Sequence, residues 1–171
     1  TRAEEVVADE LARLDRRREA LDVVNHVFGG GLSSRLFEEI RERRGLAYAV
    51  YSGVSAFEDA GVFQMYAGTL PENAEEVQSL LRAELDLLVA DGITDDELDI
   101  ARGYLTGAFE LGLEDTGARM ARTGAQLITT GAVRPIADQV ARWAAVDHDT
   151  VRAVIADVLS AEPIVVTVGP T

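Results

Sequence analysis

The sequence of 171 residues, 47% of them hydrophobic, is long enough for one domain with a sizeable core and short for two. A formal charge of −14 and a pI near 4.5 repel phosphate and set nucleic acid aside as a partner, while the absence of cysteine excludes disulfides and thiolate metal sites. No apolar run approaches the roughly 20 residues that a membrane-spanning helix needs, and no charged start leads into an apolar stretch as a signal peptide would, so neither membrane insertion nor export is expected and the cytoplasm is the default compartment.

Residues 1–20, "TRAEEVVADELARLDRRREA", are dense in charge and in good helix formers, with only a patchy apolar stripe. They read as a polar linker or a truncated first segment ahead of a single domain over residues 21–171. Thr1 rather than methionine opens the sequence, as expected of a processed chain or a fragment. From Leu21 the pattern sharpens: Leu21, Val24, Val27 and Phe28 recur at helical spacing, and Gly29, Gly30 and Gly31 are expected to stop that helix by supplying a left-handed cap. A loop follows, in which Ser33 or Ser34 can cap a second helix through "RLFEEIRERR", with Leu36, Phe37 and Ile40 as its buried stripe and Gly45 at its end.

"LAYAVYSGVSAF", the turn "EDAG" and "VFQMYAGT" have the composition of a β-hairpin. Pro71 opens a long helix that Gly92 closes. Thr94 and Glu97 have capping-box spacing and start another, expected to turn Leu98, Ala101, Leu105 and Ala108 inward. Helical patterns then cover Thr116 to Thr129, Pro135 to Ala144 and Asp149 to Leu159, and "PIVVTVG" is expected as a short final strand. This order predicts an α+β fold, a mostly antiparallel sheet covered on one face by several helices.

The motifs that carry chemistry are few. His26 and His148 lie far apart, and neither begins H-E-x-x-H or H-x-x-E-H, so no metal site is expected in this chain. His26 reads as a packed histidine and His148, between Asp147 and Asp149, as part of a helix start. "GGGLSSR" lacks the lysine of a phosphate loop and follows a helix rather than a strand. No serine occupies a G-x-S-x-G elbow. Arg41 and Tyr48 remain, seven residues apart across a helix end and a strand start. On the residues alone the plainer reading is preferred, with Arg41 paired to Glu38 at i−3 and Tyr48 an ordinary strand residue.

A resemblance alters that weighing. "VVNHVFGGGLSSRLFEEIRERRGLAYAVYS", followed by "GVFQMYAGTLPENAEEV", by "GITDDELDIARGYLTGAFELGLEDTGARMARTG" and by the terminal "IVVTVGP", resembles the C-terminal homologous domain of the pitrilysin family, the insulinase and mitochondrial-processing-peptidase group of zinc proteases. It runs from about Leu21 to Pro170 and is most specific in "GGGLSSRLFEEIRERRGLAY". It implies half of a clamshell of two similar α+β domains closing on an extended peptide. The zinc and its inverted H-x-x-E-H motif belong to the N-terminal half, so zinc is expected in that partner domain or subunit and no cofactor in this chain.

The resemblance also implies that the C-terminal half contributes an arginine and a tyrosine to the same chamber, here Arg41 and Tyr48. Tyr48, protonated at neutral pH, would donate to the carbonyl oxygen that becomes negative during hydrolysis. Arg41 would hold a neighbouring substrate carbonyl. Gly29, Gly30, Gly31, Ser33 and Ser34 would form an exposed loop facing the chamber. Against the family pattern, the zinc motif is absent and the first strand of the domain is not recognisable in Thr1 to Ala20. The expected function is therefore to help bind and orient a peptide for a zinc-bearing N-terminal half, with this chain inactive by itself. The alternatives are a non-catalytic, processing-peptidase-like partner subunit and a stand-alone peptide-binding domain; an H-x-x-E-H segment upstream of Thr1 in the same parent chain would separate the first reading from these.

Overall fold

The computed structural model describes residues 17–56 and 60–169. The expected polar linker or truncated segment falls mainly on residues 1–16, and the hairpin turn on residues 57–59; both lie outside the described residues. Helix α1 covers residues 17–29, and Ala20, Val23, Val24, Val27 and Phe28 bury its inner face. A short connection and one α-helical turn at 35–36 lead into a π-helix, Phe37–Arg43. Strands β1 (Ala47–Ala56) and β2 (Gly61–Thr69) pair antiparallel. After a 3-10 turn at Pro71–Asn73 come helices α2 (Ala74–Asp91), α3 (Asp95–Gly112), α4 (Thr116–Thr130), α5 (Ile136–Ala144) and α6 (His148–Leu159). The fold is α+β.

Local chemistry accounts for most helix ends. The Thr94 hydroxyl accepts from the Glu97 amide while the Glu97 carboxylate accepts from the Thr94 amide, a complete capping box. Asp115 and Asp147 cap α4 and α6 in the same sense, accepting from the amides of Ala118 and Thr150. Gly92 and Gly131 close α2 and α4 at positive φ.

One inner face of the hairpin, including Val50, Val54, Phe63, Met65 and Ala67, meets α1 and the helices beyond it. The Phe28 and Phe63 rings lie 6.1 Å apart, and Leu36, Ile40, Val77, Leu85, Leu88, Leu98, Val151, Val154 and Ile155 complete the same core. Two polar ties hold this packing in register. The Glu19 carboxylate, almost fully buried, accepts from Arg142 at 2.9 and 3.0 Å and from Gln139 at 3.2 Å, drawing α5 onto α1. Beside it the Trp143 indole donates to Asp22 at 3.1 Å. Burial pushes the Asp22 carboxyl above its ordinary value, and that hydrogen bond offsets only part of the effect.

Four expectations give way to tertiary structure. The glycines after α1 do not supply a left-handed cap, since none of Gly29, Gly30 and Gly31 has positive φ. They are small because space is short: a Cβ on Gly29 would lie against the Ser52 backbone nitrogen and 2.7 Å from its Oγ, and one on Gly30 would lie 2.8 Å from the His26 Cα. The Ser34 hydroxyl donates to the Gly31 carbonyl at 2.6 Å instead of capping the next helix. On α3, Leu98 and Ala101 are buried and Leu105 is partly so, but Ala108 is exposed because the inward stripe ends within three turns. The segment "PIVVTVG" forms no ladder, and Ile164, Val166 and Val168 are exposed. A strand needs a partner edge for its amides, and the described residues provide none that reaches it.

The contrast between two glycines can be measured. Gly29→Ala should lower unfolding stability by about 2 kcal/mol or more, because backbone on β1 must move to admit the methyl group. Gly103, within α3 and with nothing within 4 Å of an added Cβ, should gain about 0.5 to 1 kcal/mol on replacement by alanine. Urea unfolding of the two variants beside the parent chain checks both signs.

Candidate functional site

Arg41 sits in the middle of the π-helix, whose i→i+5 bonds insert extra length per turn and rotate the side chains relative to an α-helix. The helix ends where Gly45, at φ +64°, and Leu46 return their amides to the carbonyls of Arg41 and Ile40. The expected pairing of Arg41 with Glu38 is not made. Arg43 takes Glu38 at 2.7 Å, and Glu39 is shared between Arg43 and Arg44. Among the described residues Arg41 pairs only with Glu42, at 3.9 Å and on the surface, where such a contact is worth little. Its guanidinium instead lies 4.8 Å from the Phe37 ring centre and 5.5 Å from that of Tyr48. A cation over an aromatic face at this distance is attracted by the ring quadrupole.

Tyr48 is placed by a second backbone irregularity. Ala47 pairs with Thr69 and Ala49 with Gly68, so Tyr48 is the extra residue of a β-bulge. A bulge bends its strand and re-aims a side chain out of the regular alternation. The Thr69 hydroxyl donates to the Leu46 carbonyl and closes the strand ends just beside it. Tyr48 is 86% exposed, the most exposed tyrosine of the chain. The two residues singled out in the sequence are thus brought together, one by a π-helix and one by a bulge, on an open surface.

The glycine and serine segment is less open than expected. Gly29 and Ser34 are buried, Gly31 is half-buried, and exposure is confined to Gly30, Leu32 and Ser33. Its floor is His26, whose ring stacks on Tyr104 with centroids 4.1 Å apart and lies 3.1 Å from where a Gly31 Cβ would stand. Burial pushes the His26 imidazole below its ordinary value, as the reading of a packed histidine requires.

Sequence reasoning overlooked Arg35. Its guanidinium grips Glu97 through two bonds of 2.6 and 2.7 Å and donates to the Gly92 carbonyl at 2.9 Å, pinning the segment before the π-helix to the α2–α3 turn. Burial pushes the Glu97 carboxyl up, but the bonds from Arg35 and Thr94 outweigh it and hold the carboxyl low. The available signal was weak: an arginine next to a serine pair, and a capping glutamate with one oxygen still to satisfy.

Among the described residues no three His, Cys, Asp or Glu side chains come together as a ligand set for a metal ion. His148 Nε2 lies 2.7 Å from Asp95 at the start of α6, far along the chain from His26. A zinc ion therefore does not fit these residues. The shallow hollow between α2 and α6, lined by Val89, Gly92, Arg152 and Ile155, includes neither Arg41 nor Tyr48. No helix of the described residues is long and apolar enough to cross a membrane.

Comparison with known proteins gives one consistent result. Residues 6–105 match the family model described as the peptidase M16 inactive domain. An uncharacterized zinc protease of Streptomyces coelicolor is 49% identical over 94% of this chain, which covers 35% of that protein. An uncharacterized zinc protease of Mycobacterium tuberculosis is 42% identical over 90% of the chain, again 35% of its own length. The chain thus spans about a third of the length of these relatives. Among solved structures, a peptidase M16 inactive domain from Pseudomonas fluorescens superposes with a TM-score of 0.74 at 27% identity, over 83% of this chain and 34% of that one.

The buried histidine yields a pH prediction. With its folded value depressed, His26 contributes stability that is complete above its unfolded value of about 6.5 and is lost as the pH falls through the folded value. Ring resonances of His26 followed by NMR should titrate below pH 6.5, with the Gly31 amide shifting in parallel. A midpoint at or above 6.5 would contradict the packed, uncharged ring.

Proposed function

Because this chain belongs to the peptidase M16 inactive-domain family, we propose that it is the half of a zinc endopeptidase that holds and polarises the peptide, acting beside a second domain or subunit that carries the metal. Zinc in the whole protein is supported by the relatives, which are named as zinc proteases. The observation that carries the reading is the stacking of Arg41 over Tyr48 on exposed surface, each set there by irregular backbone. Structural residues seldom need such placement, and both π-turns and bulges are over-represented at functional sites.

The chemistry follows from the two side chains. The Tyr48 hydroxyl donates to a peptide carbonyl oxygen and strengthens that bond as the oxygen gains negative charge, a contribution larger in the transition state than in the ground state. Arg41 presents a permanent, planar set of donors to a neighbouring carbonyl. Its charge over the ring holds the two side chains against each other, so they act as a unit. The exposed strip Gly30, Leu32 and Ser33 borders the bound peptide and lets its backbone approach closely. Arg35 positions that strip and the π-helix without touching the peptide.

In the intact protein, Tyr48→Phe keeps the ring under Arg41 and removes only the hydroxyl. Its kcat should fall by about 10²- to 10³-fold, as for loss of one oxyanion donor, with KM little changed. Arg41→Ala should raise KM as well, since it removes a contact made in ground and transition states alike. Steady-state kinetics on one fluorogenic peptide distinguishes the two profiles; parent kinetics in both variants would reduce the pair to a surface stack.

A further inference from the structure

Of the two rings against Arg41, only one is anchored. Tyr48 stands exposed on its bulge, and among the described residues its ring engages no aromatic or cationic side chain other than Arg41. Phe37 is different. It opens the π-helix, is half-buried and packs against the core cluster. The Arg41 guanidinium lies 4.8 Å from its ring centre, closer than the 5.5 Å to that of Tyr48. Arg41 follows Phe37 by four residues, close enough along one helix for the two side chains to meet.

The acids that could otherwise hold Arg41 are diverted. Glu38 pairs with Arg43, and Glu39 with Arg43 and Arg44, which leaves Arg41 the 3.9 Å approach of Glu42. Arg41 donates no hydrogen bond to the described residues. A carboxylate clamp would fix the guanidinium by occupying its in-plane N–H groups and offsetting its charge. A ring face instead attracts the charge through its quadrupole and takes up none of those bonds. Position is then set while the donors stay available, which suits a side chain that must be held in place and still grip a carbonyl.

We propose that Phe37 is the positioning residue of the peptide-binding pair: anchored against the core, it holds the Arg41 guanidinium, and through it the Tyr48 ring, without itself touching the peptide. The inference rests on the reading of Arg41 and Tyr48 as peptide-facing. Dependence runs from the core to Phe37, then to Arg41, and last to Tyr48. Leu36 and Ile40 on the same stretch are fully buried and serve the core alone. A further apolar anchor would be supplied as well by leucine, so it is the arginine that requires a ring at position 37.

The test compares, in the intact protein, Phe37→Leu with phenylalanines at position 37 that carry one, two or three ring fluorines. Fluorine keeps the shape of the ring and drains negative charge from its face. KM for a fluorogenic peptide should rise stepwise with fluorine number, by about twofold to fivefold at the end of the series, while the melting temperature stays at the parent value. The Arg41 Nε–H proton, identified by its loss in Arg41→Ala, should resonate upfield in the parent and move toward an ordinary arginine position in Phe37→Leu. Added to Arg41→Ala, Phe37→Leu should raise KM no further. A KM that is flat across the fluorine series, or additive losses in the double variant, would make Phe37 a core residue only and overturn its positioning role. The fluorinated chains decide this even if Phe37→Leu folds poorly. Arg41→Ala with a raised KM beside a flat fluorine series sinks the role of Phe37 alone. Parent kinetics in Arg41→Ala and Tyr48→Phe, beside a displaced Arg41 resonance in Phe37→Leu, overturns the peptide-facing reading while the hold of Phe37 on Arg41 stands.

Discussion

The close approach of Gly29 to Ser52 is the constraint on which the rest of the structure depends. The last turn of α1 lies directly on β1, with no side chain between the two backbones. Ser52 uses the contact: its hydroxyl donates to the Asn25 side-chain oxygen at 2.8 Å, so a buried polar group is satisfied where the backbones meet. This fixes the end of α1 on the sheet. The chain must then leave through Gly30 and Gly31, which are crowded by His26, and enter the π-helix from one direction. A bulky residue at any of these three positions would shift the start of the next element.

From that fixed point the candidate site is assembled by two departures from regular backbone. An α-helix through Phe37–Arg43 would rotate Arg41 to another azimuth, and a strand without a bulge would place Tyr48 in strict alternation with Ala47 and Ala49. The π-helix and bulge instead converge on a cation over a ring. Arg35, tied to Glu97 and Gly92, anchors the start of the π-helix to the α2–α3 turn. The Glu19 cluster performs the corresponding task between α1 and α5. Such paired, mostly buried charges add little net stability, but leaving one unpaired costs several kcal/mol, so they specify which helix packs where.

What was legible in the sequence was local. Pro71, Gly92 and the Thr94–Glu97 box announce helix ends because each acts within one turn, and apolar spacing found the core of α1, α2 and α6. Arg41 and Tyr48 were singled out through family resemblance alone, and their juxtaposition was not foreseen, since neither a π-helix nor a bulge leaves a mark that periodicity can detect. Gly29 was read as a helix stop because close approach depends on Ser52, 23 residues away. The pairing assigned to Arg41 failed for a related reason: the π-helix hands Glu38 to Arg43, at a separation of five. "PIVVTVG" has every strand preference and no partner edge among the described residues, a reminder that strand propensity expresses what neighbours a segment could use.

The central claim is that Arg41 and Tyr48 face a bound peptide together. The most direct measurement is a structure of the intact protein, its hydrolysis silenced in the metal-bearing domain, with a peptide bound. The account predicts the Tyr48 hydroxyl within hydrogen-bonding distance of one peptide carbonyl oxygen and the Arg41 guanidinium on a neighbouring one, with the π-helix and bulge intact. A peptide seated elsewhere, with both side chains still in solvent, would contradict it.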